Sequence, residues 1–391
     1  MVAPSKFFLL TGAVGFLATL GGCASGYRIA WGDVHGHTGL SDGKGSLDEF
    51  FHHAHDVERL DFVIVTDHDF GHEAPWRMPQ ADWNLIQSKA DEYTADGRFV
   101  AIAGYEWTSQ EKYWTAVRTN LVSERLFPGP PRFYNHKIVY FPERVPYLFS
   151  AKDPACNSPD LLAAAVRQAG GLIHNAHTDA TPEGRDQFEY APSASDVIAN
   201  TEMNADLYRY RGTNYAVRGE QTVRSFLGRG GRTGFVAGTD THEGRPAART
   251  AVLVAELTRA AIFDALRHRR NYAASHARIG LDFRINGHVM GAEAEVEGQP
   301  RIIVEVKGTA PIEEVAVVRD GVVIQSAIPR RKNARLDFVD QGFAGSSYYY
   351  VRVTQSDRDE HGNQSCAWSS PIWVRQRGPL AWEVGGAGDN H

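Results

Sequence analysis

The sequence predicts an α/β fold followed by a smaller all-β domain. Over Ile29–Ala274, short apolar segments rich in β-branched residues alternate with amphipathic helical windows, which is typical of β/α units around a parallel sheet. Over Ile279–Gln376 the pattern changes to alternating apolar and polar residues separated by turn signals, which indicates a small β-sandwich. The length of 391 residues agrees with two domains.

Seven predicted strands end in polar residues that can take part in chemistry. They are RIAWGDVH, DFVIVTDH, FVAIAGYEWT, KIVYF, GLIHNAH, VIANTEM and TGFVAGTDTH. The predicted helices are Leu47–Arg59, which Ser46 and Glu49 open with a capping box, Pro159–Ala169 and Arg259–Arg269. If the strands close into a barrel, their C-terminal ends bring these polar side chains to one face.

The first residues have the features of an export signal. Lys6 precedes an apolar run to Leu20 that contains glycine and is too short to span a membrane comfortably. The sequence LGGC, ending at Cys23, resembles the bacterial lipobox, which is cut before a cysteine that then carries lipid. We therefore expect an exported protein, periplasmic or anchored to the outer membrane through lipidated Cys23; a signal peptide with a chance cysteine is the alternative.

These observations divide the chain into four parts. They are a signal peptide over residues 1–22, a (β/α) barrel over 23–278, a β-sandwich over 279–377 and a flexible tail over 378–391. The net charge of −6, from 41 basic and 47 acidic residues, gives no sign of a polyanion-binding surface. Nucleic acid is therefore not expected as the main partner, and the oligomeric state cannot be read from the sequence.

A pair of histidines follows the first predicted strand. Because side chains alternate along extended chain, His35 and His37 point to the same side. Asp42 follows in SDG, where Gly43 permits a tight return of the chain. The pair alone is weak evidence, since two solvated loop histidines would have the same sequence.

Later strands supply possible partners for this pair. The apolar strand that carries Glu106 would bury a carboxylate, which needs a cation or hydrogen-bond donors. Each histidine alone could be a core residue bonded to a backbone carbonyl, but the joint occurrence predicts one shared site. Imidazoles with carboxylates suit Zn, Mn or Fe, and a bridging carboxylate suits two or three such ions. The further candidates are Asp67, His68, His136, His174, His177, Asp240 and His242.

The order of these motifs resembles that of the PHP (polymerase and histidinol phosphatase) superfamily. H-x-H, SDG, TDH, a glutamate, two later histidines and a final D-x-H occur in that order over Ile29–Ala274. The segments GTDTHEGRP, ALRHRRNYAASHARI and AWSSPIWV further resemble the DUF3604 branch, which couples such a barrel to a β-rich region. The resemblance implies a distorted (β/α)7 barrel with a trinuclear metal centre. The implied ligands are His35, His37, Asp42, His68, Glu106, His136, His177, Asp240 and His242.

Three residues near the implied ligands receive other roles. In GLIHNAHTD we prefer His177 as the ligand because it stands where the strand would end, as the family's histidine does. His174 is then a supporting or wall residue. Asp67 is interpreted as a group that orients a ligand.

The resemblance implies phosphoester hydrolysis, in enzyme class EC 3.1. The substrate would be a small phosphomonoester or phosphodiester, attacked by hydroxide that two or three divalent ions generate from water. Arg245 could hold a phosphate oxygen, although a surface ion pair explains it equally well. His242 or His72 could donate a proton to the leaving group.

Two other functions stay open. One is hydrolysis of a C–N or carboxyl-ester bond on the same barrel, which the lack of a lysine suited to carbamylation at a strand end disfavours. The other is a non-catalytic envelope lipoprotein that binds through aromatic residues of the β-domain. The intact motifs argue against it, because a barrel that had lost its catalytic role should have lost at least one ligand. Those aromatic residues are Tyr348–Tyr350, Trp368 and Trp373, and alternation along the strands predicts that several are core.

Overall fold

The seven expected strands form between Arg28 and Val236. The computed structural model describes residues 26–70, 77–109, 134–178, 185–203, 215–359 and 362–377. Each predicted segment contains one strand, so these seven predictions are confirmed. The strands are β1 (Arg28–Asp33), β2 (Phe62–Val65), β3 (Val100–Ser109), β4 (Asn135–Tyr140), β5 (Leu172–Asn175), β6 (Ile198–Glu202) and β7 (Gly234–Val236).

These strands are neighbours in chain order, but one of them runs in the opposite direction to the others. β1, β2 and β3 are parallel, as are β5, β6 and β7, whereas β4 is antiparallel to both β3 and β5. The expectation of a purely parallel β/α sheet is therefore wrong at β4. The reversal brings the N-terminal end of β4 to the edge at which the other six strands end.

Two further strands bring the ends of this sheet together. β8 (Arg249–Val254) lies antiparallel to β1, and β9 (Asn271–Ala274) lies antiparallel to β8. The hydroxyl of Thr250 in β8 bonds both the NH and the carbonyl of Ala237, at the end of β7, at 2.7 Å. Side chains of β1 to β5, β7 and β8 share one apolar cluster, so these strands surround a common interior.

Five α-helices occur among the described residues. The three predicted helices are confirmed, and Ser46 makes its capping box with Glu49. The first helix continues as a π-helical turn over His53–Val57. Ile262 and Leu266 of the last helix join the interior cluster of the strands. The helices are α1 (Leu47–His52), α2 (Gln80–Tyr93), α3 (Pro159–Gln168), α4 (Tyr215–Gly228) and α5 (Arg259–Arg267).

The remaining strands form two packed sheets. Four of them pair in the order β11-β10-β13-β16, and the others continue the first sheet through the pairing of β18 with β9. Apolar side chains of both sheets meet in one core, which includes Phe283, Val304, Val317 and Val351. The strands are β10 (Gly280–Ile285), β11 (His288–Val289), β12 (Glu293–Val296), β13 (Arg301–Lys307), β14 (Ile312–Arg319), β15 (Val322–Ala327), β16 (Asn333–Val339), β17 (Ser346–Arg358), β18 (Gln364–Ser369) and β19 (Ile372–Gln376).

The aromatic residues of this region are core residues. Tyr348–Tyr350, Trp368 and Trp373 are all buried, as the alternation along their strands predicts for several of them. They therefore offer no exposed aromatic face to a partner. The predicted domain boundaries stay predictions. β9 and β18, which lie on either side of the predicted boundary after residue 278, pair with each other. No helix in the described part of the chain is both long and apolar enough to span a bilayer.

Candidate metal centre

The histidines and carboxylates selected from the sequence meet at one edge of the sheet formed by β1 to β7. They follow the C-terminal ends of β1, β2, β5 and β7 or lie within β3 and at the start of β4. They form three overlapping groups in which each residue offers one ligand-type atom and all these atoms lie within 4.8 Å of one another. The groups are His37, Asp42, His68 and His242; His35, His37, Glu106 and Asp240; and Glu106, His136 and His177.

The first group is the most accessible to solvent. The Oδ1 atom of Asp42 lies 3.3 Å from Nε2 of His242 and 3.5 Å from Nε2 of His68. The side chains of Asp42 and His242 are 38% and 22% exposed, whereas His37 is fully buried. This group is therefore the part of the centre that faces the solvent.

The second group is completely buried. The Oδ1 atom of Asp240 lies 3.1 Å from Nε2 of His37 and 3.3 Å from Nε2 of His35. The Oε2 atom of Glu106 lies 3.3 Å from Nε2 of His37 and 3.6 Å from Nε2 of His35. Two imidazoles and two carboxylates thus face one small space.

The third group depends on the reversed strand. His136 at the start of β4 places Nδ1 2.5 Å from Oε1 of Glu106, and Nε2 of His177 lies 3.2 Å from the same oxygen. His174 lies outside this group and bonds Glu202 instead. The structure thus brings His177, the preferred histidine of its segment, to Glu106.

Glu106 lies at the centre of the whole arrangement. It belongs to two of the three groups, and its Oε2 atom is also 3.0 Å from Nδ1 of His68. Burial raises the pKa of Glu106, but the nearby His136, His68 and His35 lower it well below its usual value. The carboxylate is therefore ionised and can bridge neighbouring cations.

The histidines of the centre are electrostatically unequal. Burial lowers the pKa of His35, yet the charges of Glu202, Asp240 and Glu106 raise it well above its usual value. Burial lowers the pKa of His136 to about 3, with help from His177 and against the attraction of Glu106. The pKa values of these two imidazoles are thus shifted in opposite directions, because carboxylates dominate around His35 and burial dominates around His136.

Several backbone positions beside the centre have unusual conformations. His177, Asp240 and Asn135, which precedes His136, have positive φ angles of 24°, 49° and 62°. Such angles are uncommon for residues other than glycine and cluster at functional sites. Two of the three residues contribute ligand-type atoms themselves.

The motif analysis missed Glu202, the buried carboxylate at the end of β6. It accepts hydrogen bonds from Nδ1 of His35 at 2.8 Å, Nε2 of His174 at 3.0 Å and the main-chain NH of His177 at 2.7 Å. Histidine ligands of metals commonly donate their second NH to such a carboxylate. The available signal was the glutamate that ends the apolar strand in VIANTEM.

The buried Asp33 supports two loops that carry the centre. Asp33 accepts bonds from the NH groups of His35, Thr239, Ala247 and Ala248. Asp33 therefore ties the first and last motifs together.

Asp67 orients a loop instead of contacting a ligand-type atom directly. Its carboxylate accepts hydrogen bonds from the main-chain NH and hydroxyl groups of Thr38 and Ser41. The Ser41 hydroxyl in turn lies 3.5 Å from Nδ1 of His37. The expected orienting role of Asp67 thus stays a prediction. Asp67 would act on His37 through the loop that contains Thr38 and Ser41.

The remaining predicted residues lie at the rim or outside the described residues. Arg245 is exposed, and its main-chain NH bonds the hydroxyl of Thr241. His72, the second candidate proton donor, and Cys23, the candidate lipidation site, lie outside the described residues.

No family model matches the chain. It is 26% identical over 379 residues to an uncharacterised protein of Chlamydia trachomatis serovar D and 25% identical over 382 residues to one of Chlamydia muridarum. Each alignment covers 89% of this chain and 57% of the relative, so the chain spans little more than half the length of these relatives.

Two solved structures show a limited likeness. One is a two-domain protein from Bacteroides vulgatus described as containing a predicted PHP-like metal-dependent phosphoesterase, with 13% identity, a TM-score of 0.45 and coverage of 90% of this chain and 96% of that chain. The other is PsfC from Pseudomonas syringae, with 15% identity, a TM-score of 0.36 and coverage of 57% and 82%. Both scores are low, so a functional conclusion has to come from the site itself.

Proposed function

We propose that this chain is a metal-dependent hydrolase that cleaves a phosphomonoester or phosphodiester. The observation that carries the proposal is the convergence of imidazole and carboxylate atoms in three groups that share His37 and Glu106. Zn, Mn or Fe fits this set of nitrogen and oxygen donors. The shared residues support a centre of two or three ions.

The spacing of the buried atoms fits the presence of ions. Two ligands of one ion with bonds of about 2.1 Å and angles of roughly 90 to 120° lie about 3 to 3.6 Å apart. Nε2 of His35 and Oε2 of Glu106 are buried and make no hydrogen bond to the described residues, although they lie only 3.6 Å apart. Buried polar atoms without partners are costly, and a cation between them would remove that cost.

Each part of the chain then has a distinct task in hydrolysis. When bound, divalent ions lower the pKa of water and polarise a phosphoryl oxygen. Glu106, which two of the groups share, would hold two neighbouring ions, Glu202 holds the His35 ring, and the exposed rim at Asp42 and His242 would admit the substrate. Arg245 stands beside this rim in sequence and can hold a non-bridging phosphate oxygen.

Hydrolysis of a C–N or carboxyl-ester bond is the alternative on the same centre. Related chemistry often uses a carbamylated lysine, and Lys137 follows the candidate ligand His136 on β4. The Lys137 side chain points away from the centre, because neighbours on a strand alternate, and its Nζ bonds Oε1 of Gln187 at 2.9 Å. This contact favours the phosphoester proposal.

Metal analysis and a substrate panel test the proposal. The full chain, purified without chelator, should hold at least one transition metal ion and should hydrolyse p-nitrophenyl phosphate or bis-p-nitrophenyl phosphate faster than p-nitrophenyl acetate or an anilide. Glu106→Gln and His68→Ala should lose both metal and activity, whereas His52→Ala, at an exposed histidine, should lose neither. Less than one ion per chain, or unchanged activity in both site variants, would refute it.

A further inference from the structure

A groove lined by arginines lies between the end of α5 and the β-rich C-terminal region. It has a volume of about 660 Å³. One wall is the segment Arg267–Arg270 at the end of α5, and the other is the turn between β10 and β11 with Arg284. Glu293 is the only carboxylate among the described residues that line it.

The groove lies at the opposite edge of the barrel from the candidate metal centre. β9 begins directly after Arg270 and runs in the direction of β1, since both are antiparallel to β8. The groove is therefore at the edge where β1 begins. Tyr27 lines the groove and His35 belongs to the metal centre, so eight residues of mostly extended chain separate them by up to roughly 25 Å.

Three of the four arginines of the groove have carboxylate partners, and the first two are Arg269 and Arg284. Nη2 of Arg269 lies 3.1 Å from Oε1 of Glu293, and Nε of Arg284 lies 2.9 Å from Oδ1 of Asp282 on the same strand. The Nε atom of Arg269 is nevertheless buried without a hydrogen-bond partner among the described residues. The Nε–H group of Arg269 can therefore still donate a hydrogen bond.

Arg270 is the third of these arginines, and Arg267 is the fourth. Arg270 shares the carboxylate of Asp264 with His268, and its Nε atom is buried without a described partner. Arg267 donates to the carbonyl of Gly170 and makes no ion pair within the described part of the chain. Three of the four guanidinium groups thus pair with a carboxylate, whereas Arg267 has no such partner among the described residues.

Stabilisation of a helix end explains only one wall of the groove. Basic residues at the end of α5 stabilise the unpaired carbonyl groups there, which accounts for Arg267. It does not account for Arg284, which reaches the groove from β10. Guanidinium groups converging from two elements match an anion with several acceptor oxygens, of which phosphate is the commonest.

The start of the described chain indicates where that phosphate comes from. The Tyr27 ring lies 5.7 Å below the guanidinium of Arg270, in the groove wall. Cys23, the expected lipidation site, precedes Tyr27 by four residues, which span at most about 14 Å. A lipid on Cys23 would therefore hold this groove at a membrane surface.

We propose that the arginine groove binds the phosphate of an anionic lipid headgroup and orients the protein with its metal centre facing away from the membrane. The proposal rests on the expected lipidation of Cys23 and not on the proposed hydrolase activity. Its consequence is that the substrate is a soluble phosphoester and not a lipid of the same bilayer.

Hydrogen exchange on the full chain in lipid nanodiscs tests the groove and the orientation together. Discs of phosphatidylcholine are compared with discs that contain phosphatidylglycerol, so the contribution of the anchor is common to both. We expect slower exchange in the anionic discs over residues 284–293 and no change over residues 35–42. Each arginine near an anionic surface should contribute about fivefold to binding.

Matched variants separate the groove from general charge. Arg267→Gln combined with Arg284→Gln should lose the protection, whereas Arg301→Gln combined with Arg335→Gln, at exposed arginines of β13 and β16, should keep it. Arg267→Gln alone should lose part of it, which keeps the test valid if the double variant unfolds.

Four results would overturn the proposal. They are equal exchange in both kinds of disc, protection of residues 35–42 instead, equal losses in the groove and control variants, and full protection by inorganic phosphate in neutral discs. The last result would assign the groove to a soluble anion. Activity of the metal centre does not enter any of these readouts.

Discussion

Glu202→Gln is expected to weaken metal binding although Glu202 belongs to none of the three ligand groups. The pKa of Glu202 is lowered to about 2, because His35 and His174 outweigh the effect of burial. The carboxylate is therefore ionised and only accepts hydrogen bonds, so Nδ1 of His35 donates to it and Nε2 faces the centre. Loss of this bond would free the ring of His35 to turn.

The size of the effect follows from the geometry of the three bonds. Oε1 of Glu202 accepts from His35 and His174, while Oε2 accepts the main-chain NH of His177 at 2.7 Å. Glutamine has one acceptor oxygen, so its NH2 group would face at least one of these donors. Loss of such an outer carboxylate typically costs 10- to 100-fold in metal affinity, about 1.4 to 2.7 kcal/mol.

A competition titration against a chromophoric chelator measures this affinity. Glu220→Gln is the matched control, because Glu220 is equally buried and accepts a bond from Tyr350 far from the centre. It should lower the melting temperature and leave the metal affinity unchanged. Unchanged affinity in Glu202→Gln, or an equal fall in both variants, would refute the assigned role.

Three further predictions concern packing, pH and capping. Gly238→Ala would place a Cβ atom 2.5 Å from Cβ of His35, so chemical denaturation should show a destabilisation of about 1 to 3 kcal/mol, and metal binding should be weaker. Gly298→Ala is the control, because a Cβ atom there would meet no atom within 4 Å. Burial lowers the pKa of His37, but Asp240 and Glu106 raise it from 6.5 to about 10, so the stability that this proton contributes is complete below pH 6.5 and is lost towards pH 10. The melting temperature measured with chelator should therefore fall over this range, whereas the melting temperature measured with metal should not. Parallel curves of melting temperature against pH would contradict this. Ser46→Ala removes the capping box of α1 and should cost about 1 kcal/mol, whereas an unchanged urea midpoint would show that the box contributes nothing.

The local pattern was sufficient to predict most strands and most of the centre. Apolar β-branched runs that end in charged residues identify β1 to β3 and β5 to β7, because burial and alternation act over a few residues. The H-x-H pair and the D-x-H pair could be assigned to one side of their chains for the same reason. Glu106 could be found because an apolar strand would bury its charge.

Contacts between distant segments could not be predicted in this way. Strand direction depends on long-range pairing, so the reversal of β4, which brings His136 to Glu106, has no local signal. Glu202 looks like an ordinary strand-end glutamate until His35, 167 residues away, is placed beside it.

The sequence by itself determined the types of donor atoms and the strand ends on which they stand. The tertiary structure alone decided which donors share a space, that Asp67 supports a loop and that the β-domain aromatics are core. It also put Tyr27, near the start of the described residues, and an arginine groove at the edge opposite the metal centre. The physical reason is that periodicity and burial are properties of a short segment, whereas a site is made by side chains far apart in the chain.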